Sequence, residues 1–84
     1  MRAVRVRLRF FAALRERLGP RATRAVRAGT TAGALWDALV VEHPELRTTT
    51  VRIAVNERYV EPSHRLAEGD EVAFFPPVSG GGGR

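Results

Sequence analysis

A small α+β domain, with one main helix lying across a mixed sheet of about five strands, is what these 84 residues predict. Three observations carry that expectation. Val4, Val6, Leu8 and Phe10 alternate with Arg5, Arg7 and Arg9, the period of a strand with one buried and one wet face. Leu35, Trp36, Leu39 and Val40 recur instead at three- to four-residue spacing, the stripe of a helix that docks by one side. The run Glu71 to Phe75 then meets Pro76-Pro77, which remove two successive backbone donors and stop a strand.

Taken in order, the first strand is followed by Phe11 to Leu18, where Phe11, Leu14 and Leu18 fall on one side of one or two helical turns ended by Gly19-Pro20. Alternation resumes more weakly over Ala22 to Ala28, with Ala22 and Val26 apolar and Arg24 and Arg27 out of clean register. This second strand pairs with the first as in a hairpin. Gly29-Thr30-Thr31 offers a Thr N-cap for the main helix, which His43-Pro44 ends. Each large apolar side chain it buries contributes roughly 1.5–3 kcal/mol, so Leu35, Leu39 and Val40 give it a reason to dock.

Pro44 to Thr50 reads as a polar connection, and Val51 to Asn56 as a central strand whose Val51, Ile53 and Val55 share a face. Asn56-Glu57 is a turn, Tyr59 and Val60 form a short strand before Pro62, and Leu66 sits in an irregular segment able to carry a single helical turn. Gly69-Asp70 turns into the last strand, in which Phe74 and Phe75 point to opposite faces. One enters the core, and the other either is available to a partner or packs under the loop that contains Leu66. The division is therefore a folded domain over 1–77 and a flexible Gly-rich tail over 78–84, with no internal repeat.

A chain of this length with 44% hydrophobic residues supports one core and leaves little surface for a complete catalytic site of its own. It contains no cysteine, which excludes a disulfide framework, a thiolate metal site and a nucleophilic thiol on this chain. His43 and His64 stand alone without ligand spacing, so no metal or stably bound cofactor is expected. The apolar runs are far shorter than a membrane span and the amino terminus has no signal-peptide core, which predicts a soluble, cytoplasmic protein. The net charge is +5 and every basic residue is arginine, so no side-chain amine is offered for isopeptide formation. That bias reflects either coding preference or bidentate pairing with carboxylates and phosphates.

The end of the chain, Pro76-Pro77-Val78-Ser79-Gly80-Gly81-Gly82-Gly83-Arg84, runs from a hydrophobic strand into residues that cannot build a core. Without a Cβ, successive glycines enter channels too narrow for other residues, which suits a terminus presented to an enzyme. A flexible end without a role has the same composition.

Val51-Arg52-Ile53-Ala54-Val55-Asn56, Leu66-Ala67-Glu68-Gly69-Asp70-Glu71-Val72 and Phe75-Pro76-Pro77-Val78-Ser79-Gly80-Gly81 together resemble the ubiquitin-like sulfur carriers of the MoaD/ThiS type. Within that family the resemblance is nearest to the branch that forms the small subunit of molybdopterin synthase. It spans essentially the whole chain and implies the β-grasp fold. It also implies that an E1-like enzyme adenylates a C-terminal glycine carboxylate with ATP, after which a sulfur donor converts it to a thiocarboxylate. The tail would then enter the large subunit of molybdopterin synthase and supply sulfur for the dithiolene of the molybdenum cofactor. Phe75, Pro76, Pro77, Val78, Ser79 and Gly80 become the partner-binding segment and Gly81 the reactive residue. Related carriers serve thiamine, cysteine or tRNA thiolation and protein conjugation.

The departure from the family pattern is Gly82-Gly83-Arg84, which follow the aligned glycine. Three residues displace a carboxylate by up to about 10 Å, far outside reacting distance. Three readings stand: a processing protease exposes Gly81, removal of Arg84 exposes Gly83, or the chain never becomes a thiocarboxylate. Arg5, Arg7 and Arg9, helped by Arg24 or Arg27, form either a solvated face or a basic docking surface. A strand without interleaved aromatics argues against nucleic acid as its partner.

Overall fold

The computed structural model describes residues 2–77. The alternation at the amino terminus is realised as β1, Ala3–Phe10, with Val6, Leu8 and Phe10 buried and the arginines between them turned outward. It is followed by α1 (Ala12–Leu18), β2 (Arg21–Arg27), α2 (Ala32–Glu42), a 3-10 helix (Pro44–Thr48), β3 (Arg52–Val55), β4 (Arg58–Val60) and β5 (Glu71–Phe75). The five strands form one sheet in the order β2-β1-β5-β3-β4. β1 and β5 run parallel, and every other neighbouring pair is antiparallel. This is the mixed β-grasp sheet, with α2 as the main helix on one face.

The core lies between that helix and the sheet. Leu35 and Leu39 of α2 meet Val6, Leu8 and Phe10 of β1, Ile53 and Val55 of β3, and Val72 and Phe74 of β5, while Leu14, Leu46 and Leu66 close its margins. The start of α2 is held by the Thr31 hydroxyl, which accepts a hydrogen bond from the Ala34 N–H at 3.1 Å. In its first turn the Gly33 N–H donates to the Pro62 carbonyl at 2.9 Å. A Cβ built on Gly33 would lie 2.9 Å from the Pro62 Cβ, so glycine is what lets the helix approach this loop.

The expected turn between β3 and β4 has Asn56 and Glu57 at φ of 52° and 72°, the pair of positive values that a two-residue type I′ hairpin needs. Asn56 accepts this conformation and also ties the hairpin to β5. Its Nδ2 donates to Asp70 Oδ1 at 2.9 Å, its Oδ1 accepts from the Glu71 N–H at 3.1 Å, and its own N–H donates to the Glu71 carbonyl at 2.8 Å.

Four expectations are corrected. Phe11 does not share a helix face with Leu14. It keeps the extended backbone of β1, φ −124°, and Ala12 at φ 54° turns the chain into α1, so Phe11 lies on the sheet face opposite Phe10. The polar connection contains the 3-10 helix, whose Leu46 is buried. Leu66 carries no helical turn; its N–H donates to the Thr30 carbonyl beside a Thr31–Arg65 bridge, which ties the loop to the start of α2. Arg24 opposes Val6 in the sheet and therefore sits on the helix side, where it forms a two-point ion pair with Glu42. Arg27 does belong to the outer face, opposite Ala3 and in phase with Arg5. The tail, residues 78–84, lies outside the described residues.

Candidate functional site

β5 is the middle strand, and its end is where the chain departs for Pro76 and Pro77. Parallel pairing sets Phe74 beside Phe10, and antiparallel pairing sets Phe75 opposite Arg52. Two phenylalanine doublets thus reach the same end of the sheet in the same phase, and each face receives one residue of each doublet. On the helix side Phe10 and Phe74 stack with centroids 5.8 Å apart, and the Trp36 ring lies 5.4 Å from Phe74. This pair is core, and Trp36 packs partly buried at its edge.

On the outer face Phe11 and Phe75 stack at 4.5 Å with their planes 12° apart, and Tyr59 meets Phe75 edge-on at 5.9 Å. The Arg9 guanidinium carbon stands 5.1 Å from the Phe11 ring centre and that of Arg52 stands 4.1 Å from the Tyr59 ring centre. Cations over aromatic faces hold the rings in place while leaving positive charge at the rim. Ala54 and Ala73, opposite each other in the register, leave a hollow of about 230 Å³ bordered by Arg9, Tyr59, Glu71 and Phe75. Phe11 and Phe75 are half-buried and Tyr59 is 60% exposed, so an apolar side chain of a partner has an aromatic wall to pack on.

Of the residues singled out in the sequence, Phe75, Pro76 and Pro77 are brought together at this end of the sheet. Val78, Ser79, Gly80, Gly81 and Gly83 lie outside the described residues. The sequence reading missed Phe11, Tyr59, Arg9 and Arg52 as members of the same surface. The repeated doublet, Phe10-Phe11 and Phe74-Phe75 at two strand ends, is the signal that points to it. It also alters the argument about the arginine face, because aromatics from β4 and β5 stand beside Arg9 although β1 itself interleaves none. Among the described residues no three His, Cys, Asp or Glu side chains gather as a metal site, and no helix is long and apolar enough to cross a membrane.

The sequence profile of the ThiS family matches residues 8–81 of this chain. The molybdopterin synthase sulfur carrier subunit of Mycobacterium tuberculosis is 40% identical over 82 residues, covering 93% of this chain and 99% of the relative. That of Escherichia coli is 38% identical over 80 residues, covering 90% and 99%. Among solved structures, the putative molybdopterin converting factor subunit 1 of Pyrococcus furiosus superposes with a TM-score of 0.81 at 29% identity, over 89% of this chain and 99% of that one. The small archaeal modifier protein 1 of Haloferax volcanii follows with 0.76 at 30%, over 89% and 99%. A chain of the complex of subunits 1 and 2 of the molybdopterin-converting factor of Helicobacter pylori gives 0.61 at 26%, over 93% and 100%.

Proposed function

The chain belongs to the ThiS family, and from that premise we propose that it is the sulfur carrier subunit that serves molybdopterin formation. The observation that carries this reading is the similarity to curated carriers over nearly the whole chain, with a family match that continues past Pro77 to Gly81. The large subunit of molybdopterin synthase is the partner, as subunit 2 is in the related complex.

The chemistry is supplied by partners. A carboxylate oxygen of Gly81 attacks the α-phosphorus of ATP on an E1-like enzyme, and pyrophosphate leaves. The acyl-adenylate so formed has AMP as a good leaving group where the carboxylate had none. A persulfide sulfur of the donor then displaces AMP to give an acyl disulfide, and a second donor thiol attacks the donor-side sulfur, so that the thiocarboxylate leaves and the donor remains as a disulfide. Gly81 is followed by Gly82, so its carbonyl is an amide until the Gly81–Gly82 peptide bond is hydrolysed; a processing protease is part of the proposal. The domain contributes position. β5 ends at the centre of the sheet beside Phe11, Tyr59 and Phe75, and Pro76-Pro77 remove the donors that would continue its hydrogen-bonded ladder. Gly81 is the fourth residue after Pro77, a reach of at most about 14 Å into a partner.

Intact mass of the native chain taken from its own cell, where its processing protease acts, before and after incubation with the E1-like enzyme, ATP and a sulfur donor, tests the reading. A species ending at Gly81 with one oxygen replaced by sulfur is expected. A chain left unmodified beside an active control carrier refutes it.

A second reading has the similarity to a small archaeal modifier protein in its favour: the same activated glycine joins an amine of another protein. Transfer of the chain to protein lysines, in place of sulfur to a molybdopterin precursor, would identify that use.

A further inference from the structure

We infer that the open edge of β2 is a docking site for an acidic, extended peptide segment of a partner protein, which adds to the sheet as one more strand. This surface lies apart from the aromatic hollow and its use is independent of sulfur transfer.

The two edges of the sheet are built differently. β4 is three residues long and Pro62 follows closely, which limits what can pair with it. β2 is seven residues long and contains no proline, and its register with β1 runs without a bulge from Ala3–Arg27 to Arg9–Arg21. No described strand lies beyond it.

The ladder shows which groups face that open side. The Phe10 N–H donates to the Pro20 carbonyl at 3.1 Å and the Ala28 N–H to the Arg2 carbonyl at 3.0 Å. With the antiparallel register, this phase makes Ala22, Arg24 and Val26 the residues bonded to β1. The N–H groups of Arg21, Thr23, Ala25 and Arg27 therefore point away from the sheet, as do the carbonyls of Arg21, Thr23 and Ala25. The Arg27 carbonyl is taken by the Thr30 N–H at 3.0 Å. Small side chains at Ala22, Thr23 and Ala25 leave this backbone approachable.

Charge selects the occupant. β2 carries Arg21, Arg24 and Arg27 and no acidic residue, so a second copy laid antiparallel along it sets arginines against arginines. Arg24 is committed to Glu42, whereas no ion pair among the described residues engages Arg21 or Arg27. On the helix side α2 stops short of β2, leaving Ala22 exposed above a groove of about 240 Å³ lined by Leu18, Ala22 and Leu39 and closed by the Arg24–Glu42 pair. An added strand places alternate side chains on the two faces. The fitting segment has acidic residues toward Arg21 and Arg27 and apolar residues toward the groove, with main-chain hydrogen bonds for affinity and alternate side chains for specificity.

The probe is a capped seven-residue peptide alternating glutamate and valine, titrated into the full-length chain and followed by amide NMR. Shifts and slowed exchange are expected at Arg21, Thr23, Ala25 and Arg27, weakening as salt is raised. The same peptide N-methylated at alternate residues should bind about tenfold or more weakly, since it loses the ladder donors. Ala25→Pro removes an outward N–H without touching the bonds to β1, and should weaken binding by about tenfold. If that variant melts early, the double change Arg21→Glu, Arg27→Glu replaces it, with the same loss expected. Equal binding by the N-methylated peptide, shifts centred on Phe11, Tyr59 and Phe75, or no binding at millimolar peptide would each overturn the proposal.

Discussion

Phe11 and Phe75 stack at 4.5 Å on the outer face of the sheet, while their immediate neighbours Phe10 and Phe74 stack at 5.8 Å inside it. One strand pairing thus gives two aromatic pairs of unlike consequence. Phe74 is fully buried, so Phe74→Ala should cost about 3–5 kcal/mol and lower the melting temperature sharply. Phe75→Ala gives up stacking worth about 0.5–1.5 kcal/mol and a wall of the hollow. It should fold, and should weaken association with the large subunit more than it lowers stability. Thermal melts and calorimetric titration of the two variants check this; similar melting losses in both would mean that Phe75 serves the fold.

Gly33 sits in the first turn of α2, where alanine would ordinarily add about 1 kcal/mol of helix propensity. A Cβ there meets the Pro62 Cβ at 2.9 Å and the Pro62 carbonyl oxygen at 3.2 Å, neither of which can swing aside as a long side chain does. Overpacking of this kind costs about 1–3 kcal/mol. Gly33→Ala should therefore be net destabilising in urea denaturation, opposite in sign to the propensity scale.

The bidentate hydrogen bonds from Arg24 hold the Glu42 carboxyl below its ordinary range; desolvation opposes them, and the guanidinium charge acts in the same direction as the hydrogen bonds. Glu42 closes α2, where the helix dipole alone disfavours a negative charge, so Arg24 offsets that placement. A carboxyl whose folded pKa is depressed contributes stability above its unfolded pKa, and that contribution disappears as pH falls through the folded value. Carbon-detected titration should show Glu42 protonating at lower pH than a free glutamate, and Arg24→Ala should return it to the ordinary range. The stability difference between the two proteins should vanish in acid.

The elements with a clear period were legible from the residues alone: β1, α2, the Asn56-Glu57 hairpin and the proline stop after β5 each follow from local chemistry. What escaped depends on pairing across the chain. Phe11 reads as helical because Leu14 and Leu18 follow at helical spacing, yet stacking on Phe75, 64 residues away, goes with an extended backbone at that position. Arg24 looks out of register in β2 until Glu42 on α2 supplies its partner. Tyr59 and Arg52 gain meaning only when β3 and β4 are laid beside β5. The tail motif was legible in the residues themselves, whereas the aromatic surface of Phe11, Tyr59 and Phe75 required the sheet order.

Gly81 is the position at which the proposed chemistry is most exposed to test. The described core is formed by residues between Val6 and Phe74, so a change at Gly81 should leave the melting temperature unaltered. A chain truncated after Gly81 should accept sulfur without a protease, because its terminal carboxylate is already released. The same truncation carrying Gly81→Val places a β-branched side chain next to the carbonyl that must be attacked, and should lose sulfur acceptance by about 100-fold or more, the scale of an ångström-level misplacement of reacting atoms. The full-length chain should accept sulfur only after hydrolysis of the Gly81–Gly82 bond. Mass spectra of the three proteins after a single incubation with E1-like enzyme, ATP and sulfur donor separate these cases. Sulfur found on a chain ending at Gly83, with none on the chain ending at Gly81, would move the reactive carbonyl two residues on while leaving the carrier role in place.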